Sequence, residues 1–74
     1  MPRLMTDRER EILRLTALGL RSKEVAHILG ISEQTIKNHL FMIRGKYGAA
    51  NTAHLVALAI TYGDIKLDRE VTTV

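Results

Sequence analysis

Cysteine and tryptophan are absent from the 74 residues, and phenylalanine and proline occur once each. Without cysteine there is no disulfide framework and no thiolate metal cage, so a core must come from packing or from a partner. His27, His39 and His54 stand twelve and fifteen residues apart. No two share a helical spacing, so a four-ligand zinc site is not expected. No run approaches the roughly 18 apolar residues of a membrane span, and the segment Met1–Arg8 lacks the apolar stretch of a signal peptide. A reduced, cytoplasmic setting without membrane contact is the expectation. A chain this short rarely encloses a pocket of roughly 300 Å³ or more. No paired carboxylates or nucleophile–base arrangement can be placed together, so no catalytic residue, metal or cofactor is expected. A binding module or an interaction protein remains.

What is present is a basic, moderately apolar chain: 46% hydrophobic, 26% charged, with a net charge of +3. The charge is uneven. Residues 1–50 hold nine Lys/Arg against five Asp/Glu, whereas residues 51–74 hold two against three. The basic first two-thirds point to an anionic partner.

Gly19, Gly30, Gly48 and Gly63 each follow a stretch of helical apolar period, as glycine does past a helix end. Each stretch opens on a hydroxyl residue: Thr6 in a Thr-Asp-Arg-Glu capping box with Glu9, then Ser22, Ser32 and Thr52. The pattern predicts an all-α four-helix bundle, with helices at about 7–18, 23–29, 33–47 and 53–62. The first helix sets Ile12, Leu15 and Thr16 inward, with Leu13 and Leu18 nearby. The second sets Val25, Ile28 and Leu29 inward. The third carries the stripe Ile36, Leu40, Ile43 and Tyr47, with Gly45 inside it. Ile65 is a candidate packing residue, and residues 66–74 are expected to form a mobile tail after a domain of residues 1–65.

The second and third helices form a helix-turn-helix. Ala26 permits close crossing, Gly30 takes the turn geometry, Ile31 plugs the turn into the core, and Ile36 anchors the third helix. Such a motif exposes the far face of its second helix to the DNA major groove, although an ordinary helical hairpin uses the same core residues. The exposed face holds Gln34, Thr35, Lys37, Asn38, Phe41 and Arg44. Lys37 can donate to guanine, Asn38 can pair with adenine, and Phe41 can touch a thymine methyl. Ser32, Thr35, Arg44 and Lys46 suit phosphate contacts. Solvated surface is the competing role for Lys37 and Arg44, capping of the core edge for Phe41, and half-buried packing for His39.

The blocks Thr6–Leu13, Leu18-Gly19-Leu20, Ser22–Ala26, Leu29–Ser32 and Thr35–His39 together resemble the LuxR/FixJ-type (GerE-like) DNA-binding domain over about residues 4–65. The resemblance implies a four-helix domain of a bacterial transcription regulator that binds double-stranded DNA. It implies that the third helix is the recognition helix, with Lys37, Asn38 and Phe41 at base-contacting positions. Thr35, His39, Ser22 and Lys23 would lie near phosphates, and the fourth helix would mediate dimerisation. The chain departs from the family at Tyr47, where leucine is usual, at Gly45, and at Thr52–Ala53, where an arginine and then Thr or Ser are usual. It is either a stand-alone regulator or the output part of a longer one.

The fourth helix points to self-association on its own residues. From Ala53 to Tyr62 only His54 and Thr61 are clearly polar, and a helix apolar nearly all round is covered on more than one side. One side is expected to pack on the first helix, and Val56, Ala57 and Ile60 to meet a second copy in a homodimer. Against DNA binding stand two alternatives: a helix-turn-helix adaptor that binds a protein of the transcription machinery, such as RNA polymerase, and a fragment of a nucleic-acid enzyme, which the lack of any catalytic arrangement disfavours.

Overall fold

The computed structural model describes residues 5–67, and residues 68–74, most of the expected mobile tail, lie outside the described part. Four helices follow one another: α1 (Asp7–Ala17), α2 (Ser22–Leu29), α3 (Glu33–Tyr47) and α4 (Thr52–Thr61). No strand occurs among the described residues.

The helix starts show which side chains do the capping. At α1 the expected box forms, with the Thr6 hydroxyl accepting from the Glu9 N–H at 3.1 Å and the Glu9 carboxylate accepting from the Thr6 N–H at 3.0 Å. Ser32 caps α3 by accepting from the Thr35 N–H at 3.0 Å. The expected Ser22 and Thr52 caps do not form; each is instead the first residue of its helix. At α2 the Glu24 carboxylate reaches back to the Arg21 N–H at 2.8 Å, so Arg21 holds the cap position. At α4 the Asn51 side chain accepts from the His54 N–H at 2.9 Å. Asparagine is at least as good a cap as threonine, so α4 starts one residue earlier than expected. Two ends depend on glycine: Gly30 and Gly48 have φ of 69° and 67°, a left-handed conformation that costs other residues a steric clash.

The core is one cluster built around α3. Ile36, Leu40 and Ile43 are buried against Ile12 and Leu13 of α1, Val25 and Ala26 of α2, and Leu55 and Ala59 of α4, with Met5 and Ile65 closing the ends. Tyr47 is half-buried at the edge of the stripe and stacks on Tyr62, with ring centroids 6.1 Å apart. Three expectations change. Ile28 is exposed, because the inward face of α2 is Val25, Ala26 and Leu29, and Ile28 lies about 100° round from its centre. Leu18 is also exposed, since α1 has ended by that point and it caps the helix with its backbone. Finally, α4 packs principally on α3 rather than on α1. Ile65 is buried as expected. Its approach is fixed from outside the core: Arg10 donates to the Asp64 carbonyl at 3.0 Å and Arg14 to the Lys66 carbonyl at 3.1 Å.

Candidate nucleic-acid interface

The turn between α2 and α3 sets how α3 is displayed. Gly30 reverses the chain, the Ile31 N–H bonds the Ala26 carbonyl at 3.1 Å, and the half-buried Ile31 side chain packs on the core. Ala26 is buried where α2 meets α3. With Ile36, Leu40 and Ile43 facing inward, the turn of about 100° per residue puts Gln34, Asn38 and Gly45 on the opposite ridge, with Phe41 and Met42 on either flank.

The base-contact candidates occupy that face. Asn38 is exposed, and its amide oxygen accepts from the Gln34 side chain at 3.0 Å. Gln34 therefore orients the Asn38 amide through its oxygen and leaves the NH₂ group for further bonding. Lys37 is exposed beside them and pairs with Glu33 at 3.4 Å, one helical turn back. Phe41 is 70% exposed, which removes the alternative of a core-edge cap.

The phosphate candidates fall into two groups. Lys23 is exposed and Ser22 half-buried at the start of α2, and Ser32 and Thr35 share a 2.7 Å hydroxyl bond at the start of α3. Helix starts of this kind present backbone N–H groups to anions. The other group is bonded within the fold or half-buried. Arg44 is half-buried and donates to the Ala50 carbonyl at 3.1 Å, and its buried Nε has no partner among the described residues. Lys46 bonds the buried Glu9 carboxylate at 2.7 Å, so most of its charge is offset within the fold. His39 is half-buried with Nδ1 lacking a partner among the described residues, in keeping with its position near the Leu40 edge.

Sequence reasoning missed Met42, which is 57% exposed, and the ridge position of Gly45. A helical wheel contains the signal for both. A glycine inside a helix costs about 1 kcal/mol relative to alanine, yet a Cβ at Gly45 would meet nothing within 4 Å. Packing gives no reason for glycine at this position.

The GerE family model, described as bacterial regulatory proteins of the luxR family, matches residues 3–59. The chain belongs to the luxR family of bacterial regulatory proteins. It is 38% identical over 64 residues to the transcriptional regulatory protein YdfI of Bacillus subtilis, covering 86% of this chain and 30% of that protein. Against the HTH-type quorum sensing-dependent transcriptional regulator RpaR of Rhodopseudomonas palustris it is 44% identical over 63 residues, 85% of this chain and 26% of that one. This luxR-type chain thus spans about 30% or less of the length of these curated relatives. The solved transcription factor GerE superposes with a TM-score of 0.86 at 31% identity, covering 90% of this chain and 100% of that chain. A structure of the Vibrio cholerae VqmA dimer, described as a LuxR-type receptor in the absence of its target DNA, gives a TM-score of 0.75 at 29% identity and covers 95% of this chain and 32% of that one. The four-helix, helix-turn-helix architecture is therefore that of the family. No helix among the described residues is long and apolar enough to cross a membrane.

Proposed function

We propose that this chain binds double-stranded DNA sequence-specifically as the DNA-reading part of a cytoplasmic transcription regulator. α3 lies in the major groove, and two copies pair through α4. The observation that carries this reading is the outward face of α3, where an amide held in place by Gln34 stands beside Lys37 and the open Phe41 ring. Asn38, Lys37 and Phe41 contact bases. Ser22, Lys23, Ser32 and Thr35 contact phosphates. His39, Arg44 and Lys46 sit at the margin of that surface; the internal bonds of Arg44 and Lys46 and the half-burial of His39 limit what they add. The named relatives are regulators of transcription, and VqmA is described as a dimer, there without its target DNA, whose structure bears on DNA-binding mechanisms of LuxR-type receptors; both facts support the reading by kinship.

The salt dependence of binding to duplex DNA tests it. With about three or four phosphates engaged per domain, a bound dimer is expected to show a log–log slope of roughly −5 to −7. A slope near zero would reject DNA in favour of a protein of the transcription machinery, such as RNA polymerase.

Base reading has its own measurement. Lys37→Ala and Asn38→Ala are each expected to weaken binding to a selected site by about 1–3 kcal/mol relative to a scrambled one. Both side chains are exposed, and the Lys37–Glu33 pair is a surface contact of the kind worth only about 0.3–0.5 kcal/mol. Circular dichroism should therefore be unchanged. Undiminished discrimination in both variants would remove these residues from the base-reading set.

A further inference from the structure

Phe41 and Met42 are 70% and 57% exposed, neighbours in sequence on the two flanks of the ridge that α3 turns away from its core. Gly45 follows Phe41 by four residues and Met42 by three, so it lies next to both on the helix surface. Asn38 precedes them by three and four and lies next to both from the other end. A Cβ at Gly45 would meet nothing within 4 Å, and its φ is not positive, so neither packing nor backbone geometry requires glycine there. The four residues outline an uncharged notch, with Gly45 as its floor, Phe41 and Met42 as its apolar walls, and the oriented Asn38 amide at its head.

We propose that this notch reads thymine. Phe41 and Met42 each pack on the C5-methyl group of a thymine in the major groove, next to an adenine held by Asn38, and Gly45 lets the helix backbone approach the base edges. The inference rests on the DNA reading above and adds the class of base pair that the ridge selects. The C5-methyl of thymine is the apolar group that base pairs offer in the major groove, whereas guanine is read by unencumbered arginine or lysine. Here the α3 arginine, Arg44, is half-buried on the Ala50 carbonyl, and Lys37, exposed and able to read a base of its own, lies beside the notch rather than in it. The notch itself holds no guanine-reading cation and is rich in surface that suits methyl groups. Glycine at the floor of a notch has a use where a ligand must approach the backbone closely.

The experiment takes the duplex site that the full chain selects from a random pool and replaces its thymines one at a time with deoxyuridine, which deletes the C5-methyl alone. Two nearby thymines are expected to lose about threefold to tenfold in affinity each on replacement. Phe41→Ala should abolish the sensitivity at one of them and Met42→Ala at the other, with helix content unchanged because both side chains are exposed. Gly45→Ala should fill the floor and weaken binding to the all-thymine site. Selective binding that is indifferent to every uracil overturns this proposal while leaving the DNA reading intact. So does uracil sensitivity that survives both alanine variants, or a Gly45→Ala chain that binds as tightly as the parent. A chain that binds no duplex at all overturns the DNA reading and this proposal together.

Discussion

Lys46→Ala is expected to lower the stability of the folded chain by about 2–3 kcal/mol at neutral pH, although Lys46 is far from the centre of the core. Its ammonium lies 2.7 Å from the carboxylate of Glu9, whose side chain is only 6% exposed. Removing one partner of a buried pair leaves an uncompensated charge, which typically costs about 3–5 kcal/mol. Here the cost is reduced because the Lys46 side chain is 35% exposed, so water reaches the pair. Protonation of the stranded carboxylate sets a ceiling. Taking up a proton at pH 7 against an ordinary value near 4.3 costs about 4 kcal/mol, at about 1.4 kcal/mol per pH unit. A chain of this size has roughly 4–10 kcal/mol in all, so the loss is a large share of the total.

The second variant separates charge from shape. Glu9→Gln keeps an oxygen that can accept from the Thr6 N–H but removes the charge, so Glu9→Gln with Lys46→Ala should recover most of the loss. Urea denaturation at pH 7 measures both, and a single variant within about 0.5 kcal/mol of the parent would show that the pair contributes little. Acid gives an independent reading. Burial alone would push the Glu9 carboxyl up, but the Lys46 hydrogen bond, the Thr6 amide, and the charges of Lys46 and His39 outweigh it and hold the group below its ordinary value. A depressed carboxyl contributes its stability above the unfolded value, near pH 4.3, and loses it as the pH falls through the folded value. The parent should therefore weaken in that acid window, and Glu9→Gln should weaken less steeply there. Tyr47 is shifted the other way: burial first, then its hydrogen bond to Asp64 and that carboxylate's charge, raise its hydroxyl above the ordinary range. Its contribution is complete at neutral pH and is lost only above about pH 10.

The contrast between Lys46 and Asn38 shows what the sequence made legible. Helix periods and local chemistry can be read along the chain. Thr6–Glu9, Ser32, Gly30 and the Ile36–Leu40–Ile43 stripe all act where the pattern put them, and the boundaries of α3 agree to the residue. Where two local devices compete, the pattern decides poorly. Ser22 and Thr52 were outcompeted as caps by the Glu24 carboxylate returning to Arg21 and by the Asn51 amide. Long-range partners leave no periodic trace. Glu9 and Lys46 are 37 residues apart and Tyr47 and Asp64 are 17 apart, and only the fold brings them together. Two basic residues that suited phosphate by charge, Arg44 and Lys46, were thereby found bonded within the chain. Gln34 and Asn38, four residues apart on one exposed face, needed no such knowledge.

The largest effect on binding is expected from Ala57→Glu. On α4, Leu55 and Ala59 are buried in the core against α3. Ala57 is exposed on the opposite side, and Ile60, three residues on, is 43% exposed next to it. Val56 is half-buried and packs on the core of its own chain, so Ala57 and Ile60 form the outward part of the proposed seam. A two-fold interface is isologous, so one substitution places two carboxylates near each other across the axis. Burying them in an apolar seam costs several kcal/mol unless they protonate or swing out. Because Ala57 does not belong to the core, the monomer should keep its helix content and its urea midpoint. Its affinity for a single half-site should also be unchanged, since α3 is untouched. What should fall is the advantage of two half-sites over one, together with association in sedimentation equilibrium at high concentration. The size of the seam limits that association in the parent as well. One short helix face buries less than about 1,200 Å² in total, the range of weak complexes, so a two-site DNA is expected to supply the proximity that completes the proposed pair. A variant that still dimerises and still gains the full two-site advantage would place the contact on a surface other than the Ala57–Ile60 face.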